Sequence, residues 1–277
     1  MNAASGGKLA PAWGQVALWW LGQSGFGLRG NAATLLVDPF LADHPDRLFP
    51  PPFRPDQAGG LDAVVITHDH LDHLDEETLP ALAEASPDAR FVVPEPLVGR
   101  VADLGIAAKR VAGVQPDGPL ALDGLTIHPI PASHGDDLRD GYGFGLERSN
   151  GLYRFLGYVF DLGGVRVYHA GDTVPYEGME DRLRDLHVDV ALLPINGRDA
   201  EREGRGIVGN LNEEEAAQLA AAIGADLLVP MHYDLFAWNP GSPGRLVELA
   251  RTRHPELQVL VPSRARRFVY THPAPTG

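Results

Sequence analysis

Three histidines and two aspartates occupy six consecutive positions, His68-Asp69-His70-Leu71-Asp72-His73, between the apolar run Ala63-Val64-Val65-Ile66 and the acidic Asp75-Glu76-Glu77. Imidazoles and carboxylates packed that closely cannot all be buried neutrally, and their nitrogen and oxygen donors suit a divalent metal ion. If Ala63 to Thr67 is a strand, a tight loop at its end turns His68, His70, Asp72 and His73 toward one point. His134, Asp172 and His232 each follow another apolar run that reads as a strand. Together they make seven candidate ligands, enough for two ions. One ion takes His68, His70 and His134, the other Asp72, His73 and His232, and Asp172 lies between them. Each ion keeps a position open for water, as a catalytic site requires. Asp69 is left without a ligand role and reads as a residue that supports or shapes the loop.

The elements that position these residues follow from local pattern. Val16 to Leu21, Phe26 to Arg29 and Thr34 to Val37 read as strands of a meander. Later strands are Arg90 to Val93, Leu125 to Ile130, Tyr158 to Asp161, Val165 to Tyr168, Val188 to Leu193 and Leu227 to Val229. Glu76 to Glu84 has helical spacing with Asp75 as its cap, Leu97 to Leu104 reads as a short helix, and Asn212-Glu213-Glu214-Glu215 is a capping box that opens a helix to about Ile223. A last helix spans Gly244 to Arg253. The polar groups come where strands end, which predicts two sheets face to face, helices outside and chemistry at one edge. Residues 12–273 read as a single domain after a disordered tail over residues 1–11. The Pro-rich loop Phe49 to Pro55 is either a wall of the site or a rigid connector.

Composition bounds the function. A formal charge of −14, from 37 acidic and 23 basic residues with the arginines scattered, argues against nucleic acid as a partner. With no cysteine there is no thiolate ligand, nucleophile or disulfide. No run reaches the length of a membrane span and the N-terminus lacks a signal-peptide pattern, so the expectation is a cytoplasmic enzyme with a small-molecule substrate. A homo-oligomer is left open.

Several stretches together resemble the metallo-β-lactamase fold superfamily, and within it the L-ascorbate-6-phosphate lactonase branch. They are Trp20-Leu21-Gly22-Gln23-Ser24-Gly25-Phe26, Val37-Asp38-Pro39-Phe40, Thr67 to His73, Tyr168-His169-Ala170-Gly171-Asp172-Thr173, Leu193-Pro194-Ile195-Asn196-Gly197-Arg198-Asp199, Gly209-Asn210-Leu211 and His232-Tyr233-Asp234-Leu235-Phe236. The resemblance implies an α/β (α+β) fold, a four-layer αβ/βα sandwich. It also implies one or two manganese or zinc ions on the seven ligand positions, tipped toward manganese, and hydrolysis of a small anionic lactone or ester by metal-activated water. The chain is shorter than the ascorbate-phosphate enzymes and differs near the motifs at Ser24 and Ala170.

Asp72 is the candidate catalytic residue, anchoring an ion and orienting the attacking water. Asn196, Arg198 and Asn210 are candidates for binding substrate, Arg198 through a fork onto an anion; its alternative is a structural pair with an acid. His169 either tunes the site by a hydrogen bond or is a satisfied core residue. Asp38 either supports the metal loop or caps a turn. Arg47 and Arg54 are further anion candidates. The competing functions are a phosphodiesterase, favoured by an apolar groove beside the ions, and a metal-binding scaffold or sensor without turnover.

Overall fold

The computed structural model describes residues 10–116 and 118–272. Nine residues of the tail expected to be disordered, and residue 273 at the expected domain end, lie outside the described residues. Strands β1 (Gln15–Gly22), β2 (Gly25–Arg29), β3 (Thr34–Val37), β4 (Ala63–Val65), β5 (Arg90–Pro94) and β6 (Val111–Val114) lie side by side in chain order in one sheet. A second sheet repeats the plan with β7 (Leu120–Leu122), β8 (Leu125–Pro131), β9 (Leu156–Leu162), β10 (Val165–His169), β11 (Val190–Pro194), β12 (Leu227–Met231) and β13 (Gln258–Val259). The closing strand β14 (Phe268–Thr271) returns to the first sheet beside β1.

Each sheet is antiparallel in its first half and parallel in its second. Parallel neighbours need a crossover, and helices supply most of them. Helices α1 (Thr78–Ala85) and α2 (Val98–Asp103) serve the first sheet. The second uses α3 (Met179–Asp185), α4 (Ala200–Gly204), α5 (Glu213–Ala222) and α6 (Pro243–Arg253). The result is the expected four-layer sandwich.

Strand β1 shows why its sequence is apolar throughout. Val16, Leu18 and Trp20 enter the core between the sheets, while Ala17, Trp19 and Leu21 face the layer of α1 and α2 with Leu79, Leu82 and Val101. Each large side chain so buried contributes about 1.5–3 kcal/mol. The predicted cap Asn212 is present and accepts from the amides of Glu214 and Glu215, whereas Asp75 is not the cap of α1: that position is Glu77, and Asp75 Oδ1 accepts from the amides of Glu77 and Thr78 from two residues ahead of it. Helix α1 starts two residues later than its spacing predicts.

Strand direction gathers the polar residues. β8 and β10 both run antiparallel to β9, and so run the same way; β11 and β12 are parallel to β10. The C-terminal ends of β8, β10, β11 and β12 therefore reach one edge, delivering His134, Asp172, Asn196 and His232. The end of β4 meets them from the other sheet, where Leu156 N donates to the Thr67 carbonyl at 3.0 Å.

Candidate metal centre

Asp38 builds the loop on which most of the ligands sit. It follows β3 with φ of 44°, a left-handed conformation that Asp adopts more readily than most residues. Its buried carboxylate accepts from Thr67 N at 2.8 Å and Thr67 Oγ1 at 2.7 Å, and lies 2.7 Å from His73 Nδ1. Both ends of the histidine loop thus hang on one side chain. Between them, the amides of His73 and Leu74 donate to the His70 carbonyl at 3.0 and 2.9 Å. This turn brings His68, His70, Asp72 and His73 to one side.

The remaining ligands come from loops that are tied together. Ser133 N donates to Thr173 Oγ1 at 2.9 Å and Val174 N to the Ser133 carbonyl at 3.1 Å, pairing the loops of His134 and Asp172. Gly171 has φ of 59°, and a Cβ there would stand 2.8 Å from the Leu156 carbonyl, so the turn into Asp172 requires glycine. His232 N donates to the carbonyl of Gln23, in the β1–β2 turn, at 3.0 Å.

Three overlapping sets of donors result, each with atoms within 4.8 Å of one another: His68, His70 and His134; His68, His73 and Asp172; Asp72, His73 and His232. His68 Nε2 and His70 Nδ1 are 3.0 Å apart, and His73 Nε2 and His232 Nε2 3.4 Å. Asp172 reaches His73, His232 and His134 at 3.3, 3.1 and 3.7 Å. The seven residues expected as ligands are brought together in these overlapping groups, with Asp172 within reach of members of both expected sets. Its buried Oδ1 makes no well-formed hydrogen bond, and its close polar neighbour is His73 Nε2 at 3.3 Å. Buried polar atoms are normally paired, and a divalent cation among these nitrogen and oxygen donors would supply the missing partner, so the residues fit a metal.

Most of these rings are also held from behind, as metal-ligating imidazoles are. His68 Nδ1 lies 3.0 Å from Thr67 Oγ1, His73 Nδ1 2.7 Å from Asp38, and His232 Nδ1 3.1 Å from Asn239 Nδ2. His70 Nε2 stands 3.6 Å from Asp136, whose other oxygen accepts from Arg154 at 2.6 Å. Asp69 turns away from the ligands and accepts from Arg154 and Arg100, tethering the loop to the segment that carries Asp136. His169 Nε2 is 2.7 Å from the Ser24 carbonyl, and its Nδ1 accepts from Gly171 N, bracing the turn into Asp172. Gln23, Asp136, Arg154 and Asn239 were not singled out from sequence. Gln23 alone carried a local signal, a polar residue in an apolar strand and turn; it is fully buried and its Nε2 donates to Asp72 Oδ2 at 2.7 Å.

The structure sets the expected substrate residues behind His232. Arg198 closes its fork on Glu215 at 2.6 and 2.8 Å, the acid-paired arrangement, and Asn196 and Asn210 are buried and bonded to each other. Arg47 donates to the carbonyls of Phe40, Ala42 and Phe49, and Arg54 pairs with Asp56. Phe49, from the Pro-rich loop, packs with Phe40, Leu235 and Phe236.

Charge divides the centre. Burial, reinforced by neighbouring histidines, holds His68 well below the usual histidine value, and burial brings His134 down to about 3. Burial opposes charge on His73 and His232 too, but Asp172 with Asp38 and Asp72 outweighs it at His73, and Asp172 with Asp72 raises His232 to about 9. Without metal, His73 and His232 therefore carry protons at neutral pH. An ion that takes their Nε2 must displace those protons, so its affinity should rise with pH up to about 9, by about tenfold per unit for each proton displaced. Chelator competition between pH 6 and 9 measures this; a flat profile would contradict it.

Residues 33–233 match the family described as Beta-lactamase superfamily domain. The chain is 34% identical over 242 residues to a UPF0173 metal-dependent hydrolase of Methanoculleus marisnigri, an alignment that covers 86% of this chain and 88% of the relative. Among solved structures, the metallo hydrolase Igni18 of Ignicoccus hospitalis superposes with a TM-score of 0.68 at 23% identity, over 92% of this chain and 98% of that one. An isothiocyanate hydrolase from Delia radicum gut bacteria gives 0.72 at 19% identity, over 92% and 99%. The match over most of the chain, on a sandwich whose strand ends assemble a candidate nitrogen and oxygen metal site, places this protein in the metallo-β-lactamase superfamily of metal-dependent hydrolases.

Proposed function

We propose that this hydrolase cleaves a small lactone or ester with two divalent ions, manganese or zinc, after the manner of the lactonase branch that its sequence resembles, and does so in the cytoplasm as a single domain. The observation that carries the reading is the convergence of the seven ligands into overlapping triads with Asp172 across them. His68, His70 and His134 would hold one ion, and Asp72, His73 and His232 the other. Bound there, divalent ions acidify water and polarise a carbonyl or phosphoryl oxygen. All-nitrogen and oxygen donors suit zinc and manganese alike.

The chain's own residues supply position. His68, His73, His134 and His232 are buried, whereas the side chains of His70 and Asp72 are 32% and 19% exposed. Substrate therefore approaches over these two residues and past Leu71, which is exposed between them. His73 and His232 hold the Asp72 carboxyl well below the usual carboxylate range against the effect of burial. A carboxylate so stabilised accepts a hydrogen bond and orients water; it is a poor proton donor. Gln23 fixes its rotation by occupying Oδ2.

Arg198 is engaged by Glu215, so charged and neutral substrates are compared side by side. Purified protein should be stripped of metal, reloaded with zinc or manganese in parallel, and assayed on sugar-phosphate lactones, neutral lactones, simple esters, an isothiocyanate and bis(p-nitrophenyl) phosphate. The expected result is metal-dependent turnover of a lactone or ester. Full-rate hydrolysis by the stripped protein, or turnover confined to the phosphodiester or isothiocyanate, would overturn the proposal.

A further inference from the structure

Three buried carboxamides run in a line behind His232. Asn239 Nδ2 stands 3.1 Å from His232 Nδ1, Asn196 Nδ2 donates to Asn239 Oδ1 at 2.9 Å, and Asn210 Nδ2 donates to Asn196 Oδ1 at 3.2 Å. Asn239, Asn196 and Asn210 are 1%, 7% and 0% exposed. The line is braced along its length. Arg202 donates to the Asn196 carbonyl at 2.6 Å and reaches Asn239 Oδ1 at 3.4 Å, and Arg198 donates to the Asn210 carbonyl at 2.9 Å while Glu215 holds its fork.

Burying three amides beside two guanidinium groups costs desolvation that apolar side chains would avoid, so packing alone does not account for them. What sets the line apart is its end point, the ring nitrogen of His232 that is turned away from the other ligands. A histidine that gives Nε2 to an ion keeps its proton on Nδ1, and that proton needs an acceptor. A carboxamide turned by 180° presents oxygen in place of nitrogen with almost the same outline. Turned so, Asn239 accepts from Nδ1–H and donates to Asn196, which donates to Asn210 Oδ1; the turn gives up only the two long contacts of Asn239, Arg202 to Oδ1 at 3.4 Å and Nδ2 to the His232 carbonyl at 3.5 Å. The Asn210 oxygen has no partner in the opposite polarity. His134 provides the contrast, because its Nδ1 is buried with no partner.

We propose that Asn239, Asn196 and Asn210 form a positioning line that fixes the rotation and tautomer of His232, and through it the affinity of the ion held by Asp72, His73 and His232; this rests on the two-ion reading above. The set of His68, His70 and His134 lacks the line, so its ion is untouched by changes in it.

The test is chelator-competition titration of the metal-stripped full chain with zinc, and separately manganese, for wild type, Asn239→Ala, Asn196→Ala and Asn239→Asp. Asn239→Ala should weaken one ion by about 10–100-fold and leave the other within about twofold. Asn196→Ala should weaken the same ion by less. Asn239→Asp, whose carboxylate accepts from Nδ1–H, should hold near wild-type affinity. Nitrogen-15 spectra of the zinc-loaded wild type should show His232 protonated at Nδ1. Unchanged affinity for both ions in Asn239→Ala, or equal weakening of both in all three variants, would overturn the line. If Asn239→Ala does not fold, Asn196→Ala and the ring spectrum decide. A wild type that binds one ion overturns the two-ion reading, and the line then stands or falls on whether Asn239→Ala weakens that ion; a wild type that binds none overturns both.

Discussion

Replacing Asp172 by Ala should strip both ions from the centre and lower hydrolysis on the order of 10⁴-fold, the scale on which loss of one member of a concerted site is felt. Its carboxylate is the only acidic side chain that meets His73, His134 and His232 together among the described residues, at 3.3, 3.7 and 3.1 Å. Removing it leaves neutral donors on the first site and takes the shared anion from the second. Asp72→Ala is the informative partner. Asp72 belongs only to the set with His73 and His232, so its loss should remove one ion while the other stays, with turnover still lost. Elemental analysis of purified variants reads the first difference and a steady-state assay the second. Two tightly held ions in Asp172→Ala would sink the placement of Asp172 between the two sets; wild-type turnover in Asp72→Ala would remove Asp72 from the mechanism.

The candidate ligands stood out in the sequence because they are chemically conspicuous. His68 to His73 is dense enough to declare itself, and His134, Asp172 and His232 each follow a recognisable apolar strand. The two-sheet sandwich was legible for a related reason: strands buried on both faces, such as β1 and β11, read as unbroken apolar runs. β6 and β7 were not. Gly113 interrupts the apolar pattern of β6, and β7 has only three residues, of which Leu120 and Leu122 are half-buried against the core. The like topology of the two sheets also left no repeat in the sequence, since strand order is fixed by crossovers and not by side-chain identity.

What holds the ligands was harder to read than the ligands themselves. Gln23 meets Asp72 across 49 residues, Asp136 meets His70 across 66 and Asp38 meets His73 across 35. Gln23 and Asp38 stand out locally, as a polar residue in an apolar stretch and as a carboxylate at a strand end, but neither they nor Asp136 carries a mark of which partner it meets. Asn196, Arg198 and Asn210 show the opposite difficulty: two readings of one run, an anion fork or a pair with an acid. Their run is conspicuous, and a strand-end arginine has the chemistry to bind an anion, yet Glu215 one helix later takes the fork. Rare polar residues at a strand end signal that something is held there. Only the fold says whether it is substrate or a ligand's ring.

Asp38→Ala should therefore do most of its damage without touching metal or substrate. The carboxylate is fully buried and serves Thr67 N, Thr67 Oγ1 and His73 Nδ1. Deleting one member of a buried, charge-bearing network costs about 3–5 kcal/mol, and alanine at φ of 44° adds about 1–2 kcal/mol of backbone strain that Asp largely escapes. The metal-free protein should unfold at distinctly lower urea, and His73, without one of the three carboxylates that raise its pKa, should shed its proton at lower pH. Asp38→Asn separates the causes: it retains the left-handed tolerance and one acceptor for Thr67 but not the charge on His73. Its stability should fall between those of wild type and Asp38→Ala, with a reduced affinity for both ion sets that share the loop. If Asp38→Ala unfolds at the wild-type urea concentration, the histidine loop is held by something other than this side chain.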